Sequence, residues 1–228
     1  KAGLRTIEFE PVTVLYGGNG SGKTTAPNVI ASRLGLERDV PYNRSSFWED
    51  YVRLCSYTPG DGEAERQEIL TSDDVFDFML NLRSMNEGID LKREELLDEY
   101  MEMKYTSFKL QSLEDYERLK KMNRARSHTQ SRYTRENNVK NVREHSNGES
   151  ALLYFTEKIK ENGLYLLDEP ENSLSAKKQL ELAGFLEESA RFFGCQFILS
   201  THSPFLLAMK GAKIYNLDGA PARVQRWT

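Results

Sequence analysis

A glycine-rich segment between an apolar run and an amphipathic run constrains the fold of this chain most. Residues 17–24 read Gly-Gly-Asn-Gly-Ser-Gly-Lys-Thr and match the pattern G-x-x-x-x-G-K-[ST]. The preceding residues 12–16 have the β-branched and aromatic composition of a strand, and Val29, Ile30 and Leu34 are spaced as on one face of a helix. A strand, a glycine loop and a helix in this order predict an α/β fold in which backbone amides bind phosphate groups.

The residue types in this loop predict ATP and Mg²⁺ as ligands. Glycines let backbone N–H groups close around phosphates, Lys23 is expected to reach the β- and γ-phosphates, and the Thr24 hydroxyl is expected to hold Mg²⁺. A glycine-rich turn with an incidental lysine is the alternative, and the flanking strand and helix argue against it. The predicted nucleotide-binding set is Gly18, Asn19, Gly20, Ser21, Gly22, Lys23, Thr24 and Thr25.

A second apolar strand is followed by two carboxylates. Residues 164–167 are Leu-Tyr-Leu-Leu, and Asp168 and Glu169 come directly after them. Asp168 is expected to coordinate Mg²⁺, and Glu169 is expected to polarise the attacking water as a general base. An acidic turn after a buried strand would have the same composition without the chemistry.

Composition describes an ordinary globular chain. The 228 residues are ample for one core, and 31 Lys and Arg against 35 Asp and Glu give a net charge of −4. No apolar run approaches the roughly 18 residues that a membrane span needs, so no membrane insertion is expected. Cys55 and Cys195 lie far apart without a C-x-x-C partner, which argues against a disulfide framework or a zinc site. We therefore expect a cytoplasmic location.

The remaining pattern predicts one domain over residues 1–228 with a helical subdomain inserted at about 71–145. Helices are expected from Ser72, over Leu91–Met103 and around Leu110–Met122, and residues 38–70 are expected to be irregular. The other predicted elements are strands over 5–10, 163–167 and 195–200, a helix over 177–193, and a hairpin formed by 213–217 and 223–227.

Three segments resemble motifs of the ATP-binding-cassette (ABC) ATPases. Residues 168–174, Asp-Glu-Pro-Glu-Asn-Ser-Leu, resemble the Walker B and D-loop run of that superfamily. Residues 200–204, Ser-Thr-His-Ser-Pro, resemble its switch-histidine segment, and residues 146–150, Ser-Asn-Gly-Glu-Ser, resemble a degenerate signature motif. The resemblance covers almost the whole chain and is closest to the soluble RecF-like, SMC-like and predicted AAA-type ATPases, which include bacterial defence ATPases. It implies a P-loop fold of ABC type with a mixed or parallel sheet.

The resemblance also implies that two subunits pair head to tail around two ATP molecules. Ser146 and Gly148 of one subunit, with Glu149 beside them, would contact the γ-phosphate that Lys23 of the other subunit binds. His202 would hydrogen-bond the γ-phosphate or the water. A structural histidine that caps the next helix is the alternative for His202.

A glutamine near the metal is a further expectation from the family. Gln67 is the candidate, although a solvated loop position fits the sequence equally well. The signature has Asn147 and Glu149 where transporter subunits usually have glycine and glutamine, which argues against membrane transport more than against ATP hydrolysis.

The expected activity is ATP hydrolysis that drives a dimerisation switch in a DNA-related or defence complex. A protein effector such as a nuclease is a candidate partner. The alternatives are the motor subunit of a membrane transporter and a regulatory module that hydrolyses ATP barely, if at all.

Charge is distributed unevenly along the chain. Residues 61–102 carry 14 acids and 4 bases, and residues 118–145 carry 9 Lys or Arg and 2 acids. The basic segment could contact a DNA backbone. The alternative is that the two segments neutralise each other, and the composition favours it slightly.

Overall fold

A six-stranded, mainly parallel sheet forms the core of the chain. The strands are β1 (Val12–Tyr16), β2 (Arg66–Thr71), β3 (Gly163–Asp168), β4 (Gln196–Thr201), β5 (Lys213–Asn216) and β6 (Arg223–Gln225). Their order in the sheet is β2-β3-β4-β1-β5-β6, and each neighbouring pair is parallel except the β5–β6 hairpin. The predicted α/β fold is therefore confirmed.

Eight helices lie within the residues that this computed structural model describes, which are 6–18, 20–36, 38, 46–60, 64–105, 116–137, 147–219 and 222–225. They are α1 (Thr25–Leu34), α2 (Trp48–Leu54), α3 (Ser72–Tyr105), α4 (Tyr116–Ser127), α5 (Gln130–Asn137), α6 (Asn147–Lys158), α7 (Ala176–Phe192) and α8 (Pro204–Leu207). The chain divides into two compact units, residues 1–79 with 145–228 and residues 80–144.

Both faces of the sheet are covered, as parallel sheets require. Tyr165 and Leu167 of β3 belong to one apolar cluster, while Leu166 belongs to a second cluster with Leu15 and Ile198. This alternation places successive side chains of β3 on opposite faces. Because both faces are packed, ligands can reach the sheet at the carboxyl ends of its strands, where such folds bind them.

Two elements lie in the segment predicted to be irregular, so that prediction is wrong at these positions. The helix α2 is one, and the strand β2 is the other. The first half of β2 is Arg66-Gln67-Glu68, and its polar side chains resemble a loop in the sequence. A strand at the edge of the sheet tolerates them because it pairs on one side only.

Other boundaries also differ from prediction. Residues 6–10 form no strand, and α3 is one helix of 34 residues where two were expected. Gly88 lies inside that helix at a cost of about 1 kcal/mol relative to alanine, which the surrounding helix-forming residues offset. The predicted helix near Leu110–Met122 corresponds to α4, with residues 110–115 outside the described part, and α5 is an additional helix.

Basic and acidic side chains form ion pairs within the second unit, residues 80–144. Arg118 lies 3.2 Å from Glu102 and Lys121 lies 2.5 Å from Glu99, so two bases of the basic segment pair with acids of the acidic segment. Glu136 accepts hydrogen bonds of 2.9 Å from both Arg124 and Arg132. These contacts support the neutralisation alternative for the described part of this unit.

We predict that Glu136 titrates far below an ordinary glutamate. Hydrogen bonds from Arg132 and Arg124 lower the pKa of Glu136 to about 2, from 4.5. Because the folded pKa is the lower one, this cluster stabilises the fold above pH 4.5 and loses that contribution as the pH falls towards 2. Carboxyl-carbon NMR should give a midpoint near pH 2, and Arg132→Gln should raise it.

The control for this titration is Lys120→Gln. Lys120 lies 4.0 Å from Glu117 on the same helix, so its removal should leave the Glu136 midpoint unchanged. A midpoint near 4.5 in the unmodified protein would contradict the described cluster.

Candidate functional site

The glycine loop joins β1 to α1 and closes tightly on itself. A Cβ atom at Gly17 would lie 2.4 Å from the Ser21 hydroxyl oxygen, so only glycine fits there. Gly22 has φ +97°, a conformation that side chains rarely adopt. The N–H of Gly18 donates a 2.7 Å hydrogen bond to Asp218, which follows β5. The conformation of the loop therefore depends on its own glycines and on a hydrogen bond to Asp218, which lies far away in the sequence.

An ion pair joins this loop to the end of β3. Lys23 Nζ lies 3.0 Å from Glu169 Oε1, and the Lys23 side chain is only 8% exposed. The Asn172 amide donates to the other Glu169 oxygen at 3.1 Å. Burial alone would raise the pKa of Glu169, but the hydrogen bonds from Asn172 and Lys23 and the Lys23 charge outweigh it and lower that pKa. Glu169 is thus held as a carboxylate beside the loop.

Glu169 also has an unusual backbone. Its φ of 48° and ψ of 53° are left-handed, which costs on the order of 1–3 kcal/mol for a non-glycine residue. Its N–H donates to the Ser200 carbonyl at 2.9 Å, and its carbonyl accepts from the Asn172 N–H at 3.2 Å. These two bonds hold the strained conformation.

Asp168 is the last residue of β3 and is buried. Burial raises the pKa of Asp168, and the hydrogen bond that it accepts from the Ser200 hydroxyl opposes the rise. Asp168 and Thr24 line one cavity of about 620 Å³. One carboxylate and one hydroxyl are hard oxygen donors, which suit a Mg²⁺ ion that keeps waters and phosphate oxygens as its other ligands. The residues present therefore fit the predicted metal.

The same cavity contains residues that the sequence did not single out. The predicted members are Thr24, Thr25, Asp168 and Glu169. The additional lining residues are Asn28, Arg38, Trp48, Ser72, Asp73 and Asn172.

Ser72 and Asp73 are informative among these additional residues. They follow β2 directly, and the last residue of β2, Thr71, pairs with Asp168 in the sheet register. The carboxyl end of the strand next to β3 therefore contributes to the cavity. Recognition of a strand at residues 66–71 in the sequence would have placed Ser72 and Asp73 at this edge of the sheet.

Gln67 does not lie with this group. It pairs with Leu164 in the register of β2 and β3, four residues before Asp168. At about 3.3 Å per residue, this places Gln67 roughly 13 Å along the strand from the carboxyl end. Gln67 is therefore too far away to contact a metal ion held by Asp168, which corrects the expectation from the family.

His202 follows β4 at the same edge of the sheet. Its side chain is 55% exposed, and its ring Nδ1 lies 3.1 Å from Glu171 Oε1. The N-cap of α8 is Ser203, whose hydroxyl accepts from the N–H groups of Phe205 and Leu206. The capping role that was the alternative for His202 thus belongs to its neighbour.

The signature segment begins α6. Gly148 and Glu149 lie in its first turn, whereas Ser146 is outside the described residues, as is Asn19 of the glycine loop. A Cβ atom at Gly148 would lie 3.6 Å from Lys178 and 3.8 Å from backbone atoms of Ser173 and Ser175, all at ordinary contact distance. The start of α6 therefore lies against the segment that follows Glu169 in the same chain.

Comparison with known protein families matches part of the chain. Residues 141–208 match the family described as "AAA domain, putative AbiEii toxin, Type IV TA system". This segment holds the signature, Asp168, Glu169 and His202, but it is less than a third of the chain. Comparison with curated proteins gives no match.

Several solved structures are similar to this chain at low identity. The SMC head domain from Thermotoga maritima has 14% identity and a TM-score of 0.44, with 97% of this chain and 92% of that chain covered. An SMC head bound to the C-terminal winged-helix domain of ScpA has 16% identity and a TM-score of 0.45, with 96% and 91% covered. A dimeric ATP-binding cassette bound to ADP and phosphate has 16% identity and a TM-score of 0.44, with 96% and 88% covered.

The predicted resemblance to soluble AAA-type P-loop ATPases is borne out in the second half of the chain. The family match supports it for residues 141–208, and the glycine loop between β1 and α1 is the expected nucleotide-binding element in the first part of the chain.

Proposed function

We propose that this chain hydrolyses ATP and acts as an ATP-driven, head-to-tail dimerisation switch in a DNA-related or defence complex. The observation that carries the proposal is the Lys23–Glu169 ion pair, 3.0 Å long, which joins the phosphate loop to the carboxylate after β3. The pair brings together a lysine that can bind phosphate and a carboxylate that can accept a proton.

The chain's own residues account for binding and for proton transfer. The loop amides and Lys23 would bind the phosphates, while Thr24 and Asp168 would hold Mg²⁺. When bound, Mg²⁺ neutralises charge on phosphate oxygens. Because a γ-phosphate would compete for Lys23, Glu169 would lose its ion-pair partner and could accept the proton of the water that attacks the γ-phosphorus. The bond to the bridging oxygen breaks, and ADP and phosphate leave.

A second copy of the chain would complete this site. Thr24, Thr25 and more than half of His202 are exposed in the isolated chain, so a bound γ-phosphate would be only partly enclosed. The N-terminus of α6, with Gly148 in its first turn, is suited to bind an anion. A head-to-tail pair would bring this helix end of one copy to the phosphate of the other.

DNA and effector contacts remain predictions. The ion pairs of Arg118 and Lys121 in the second unit favour neutralisation within the chain over DNA binding by residues 118–145. Lys140 of that segment is outside the described residues. In the described part of the chain, no helix has the length and apolar character that crossing a membrane requires.

Replacing the proposed base tests both hydrolysis and dimerisation. Glu169→Gln should retain ATP binding and slow turnover by roughly 10²-fold or more, the usual range for loss of a general base. Because unhydrolysed ATP would hold two subunits together, this variant should elute as a dimer with ATP and Mg²⁺ and as a monomer without them. Steady-state turnover and size-exclusion chromatography with light scattering measure the two effects.

The control is Glu188→Gln, which changes an exposed glutamate on α7. It should leave turnover and elution unchanged. Unaltered turnover in Glu169→Gln would exclude Glu169 as the base, and a monomer with tightly bound ATP would contradict the switch.

Arg38 should contribute to nucleotide affinity. Its guanidinium donates to the Asn28 side chain at 2.8 Å and lies 4.0 Å from Asp73, so a cation is held at the cavity. Hydrogen bonds to charged groups contribute about 1.5–3 kcal/mol, and 1.4 kcal/mol is about tenfold in affinity. Arg38→Gln should therefore weaken binding of a non-hydrolysable ATP analogue about tenfold or more by calorimetry.

Arg33→Gln is the matched control, because Arg33 is exposed in the last turn of α1. It should bind the analogue as tightly as the unmodified chain. Equal affinities for all three proteins would remove Arg38 from the binding site.

A further inference from the structure

Glu171 is a buried carboxylate that the proposed hydrolysis does not use. Its side chain is 4% exposed and belongs to the 3₁₀ turn Pro170–Ser173 after Glu169. One of its oxygens, Oε2, is buried without a hydrogen-bond partner among the described residues. Burying a charged group in this way is costly unless a compensating charge lies nearby.

The other oxygen of Glu171 holds the segment that carries His202. Oε1 accepts from the Thr201 hydroxyl at 2.7 Å and from the His202 backbone N–H at 2.8 Å. The same oxygen lies 3.1 Å from Nδ1 of the His202 ring. Glu171 therefore fixes both the main chain and the ring of His202.

The ring contact determines where the imidazole carries its proton. An ionised carboxylate only accepts hydrogen bonds, so the nitrogen that faces it must be the donor. A neutral His202 ring then has its proton on Nδ1 and a lone pair on Nε2. Among the described residues, His202 is also the ion-pair partner of Glu171, so the carboxylate charge balances a protonated ring.

We propose that Glu171 is a positioning residue that holds the proton of His202 on Nδ1 and thereby leaves Nε2 to the nucleotide site. A neutral ring held in this way can accept a hydrogen bond from the attacking water at Nε2. A protonated ring can donate from Nε2–H to a γ-phosphate oxygen, while Glu171 balances its charge. The catalytic consequence rests on the proposed ATPase function, whereas the position of the proton does not.

The proton position can be measured directly on the full chain without nucleotide. The chain has three histidines, so ¹⁵N-histidine labelling gives few signals, and loss of a signal in His202→Gln assigns it. In the unmodified protein, above the pH at which the ring is protonated, Nδ1 should carry the proton. If the neutral ring carries its proton on Nε2, this measurement alone overturns the proposal.

Glu171→Ala tests whether the carboxylate causes this state. Alanine removes the oxygen that accepts from Nδ1, so neutral His202 should lose its preference for a proton on Nδ1 and shift towards the form protonated on Nε2. Thr201→Val is the matched control, because it removes another hydrogen bond to Oε1 and leaves the ring contact in place. The tautomer should change in the first variant alone, and a change in both would indicate a purely structural role.

Turnover provides the second test. Glu171→Ala should lower kcat about tenfold or more, a part of the 10²–10⁴-fold that proton-transfer groups contribute, with little change in the KM for ATP. In a His202→Ala background, Glu171→Ala should cause no further loss, because Glu171 acts through His202. Additive losses would overturn the proposal. If the unmodified chain fails to hydrolyse ATP, the proposed function fails and the NMR result still decides the proton position.

Discussion

The Lys23–Glu169 ion pair is the interaction on which the site depends. It connects a loop after β1 with the residue after β3, although β4 lies between these strands in the sheet. Its lysine is almost fully buried, so removal of either partner would leave a charge with reduced solvation. Under the proposed function, a phosphate oxygen would take the place of Glu169 beside Lys23. This one contact would therefore couple phosphate binding to release of the proposed base.

The strand between them, β4, provides the remaining constraints. Ser200 contacts both acidic residues, since its hydroxyl donates to Asp168 and its carbonyl accepts from the Glu169 N–H. His202 follows two residues later and contacts Glu171. The parallel register between β3 and β4, in which Asp168 pairs with Ser200, thus brings Asp168, Glu169 and His202 to one edge of the sheet. A shift of one residue would place these side chains on the wrong faces.

Local patterns in the sequence predicted the parts of the site that one short segment specifies. The glycine loop, the apolar strand before Asp168 and the apolar strand before His202 were found in this way. The strand β2 was missed because its first half is polar, which an edge position permits. Contacts between distant segments were also missed, such as the hydrogen bond of Gly18 to Asp218, because nothing in the local sequence indicates them. The contact of Glu171 with His202 was missed for the same reason, because it joins the segment after β3 to the segment after β4.

Complementation between two inactive variants tests the head-to-tail site most directly. Lys23→Ala removes the lysine proposed to bind phosphate, and Ser146→Arg places a bulky side chain in the segment proposed to face the partner's phosphate. Each variant alone should be inactive, and an equal mixture should recover about a quarter of the unmodified activity, since half of the random dimers have one intact site. No recovery in a mixture shown to contain heterodimers would contradict the account.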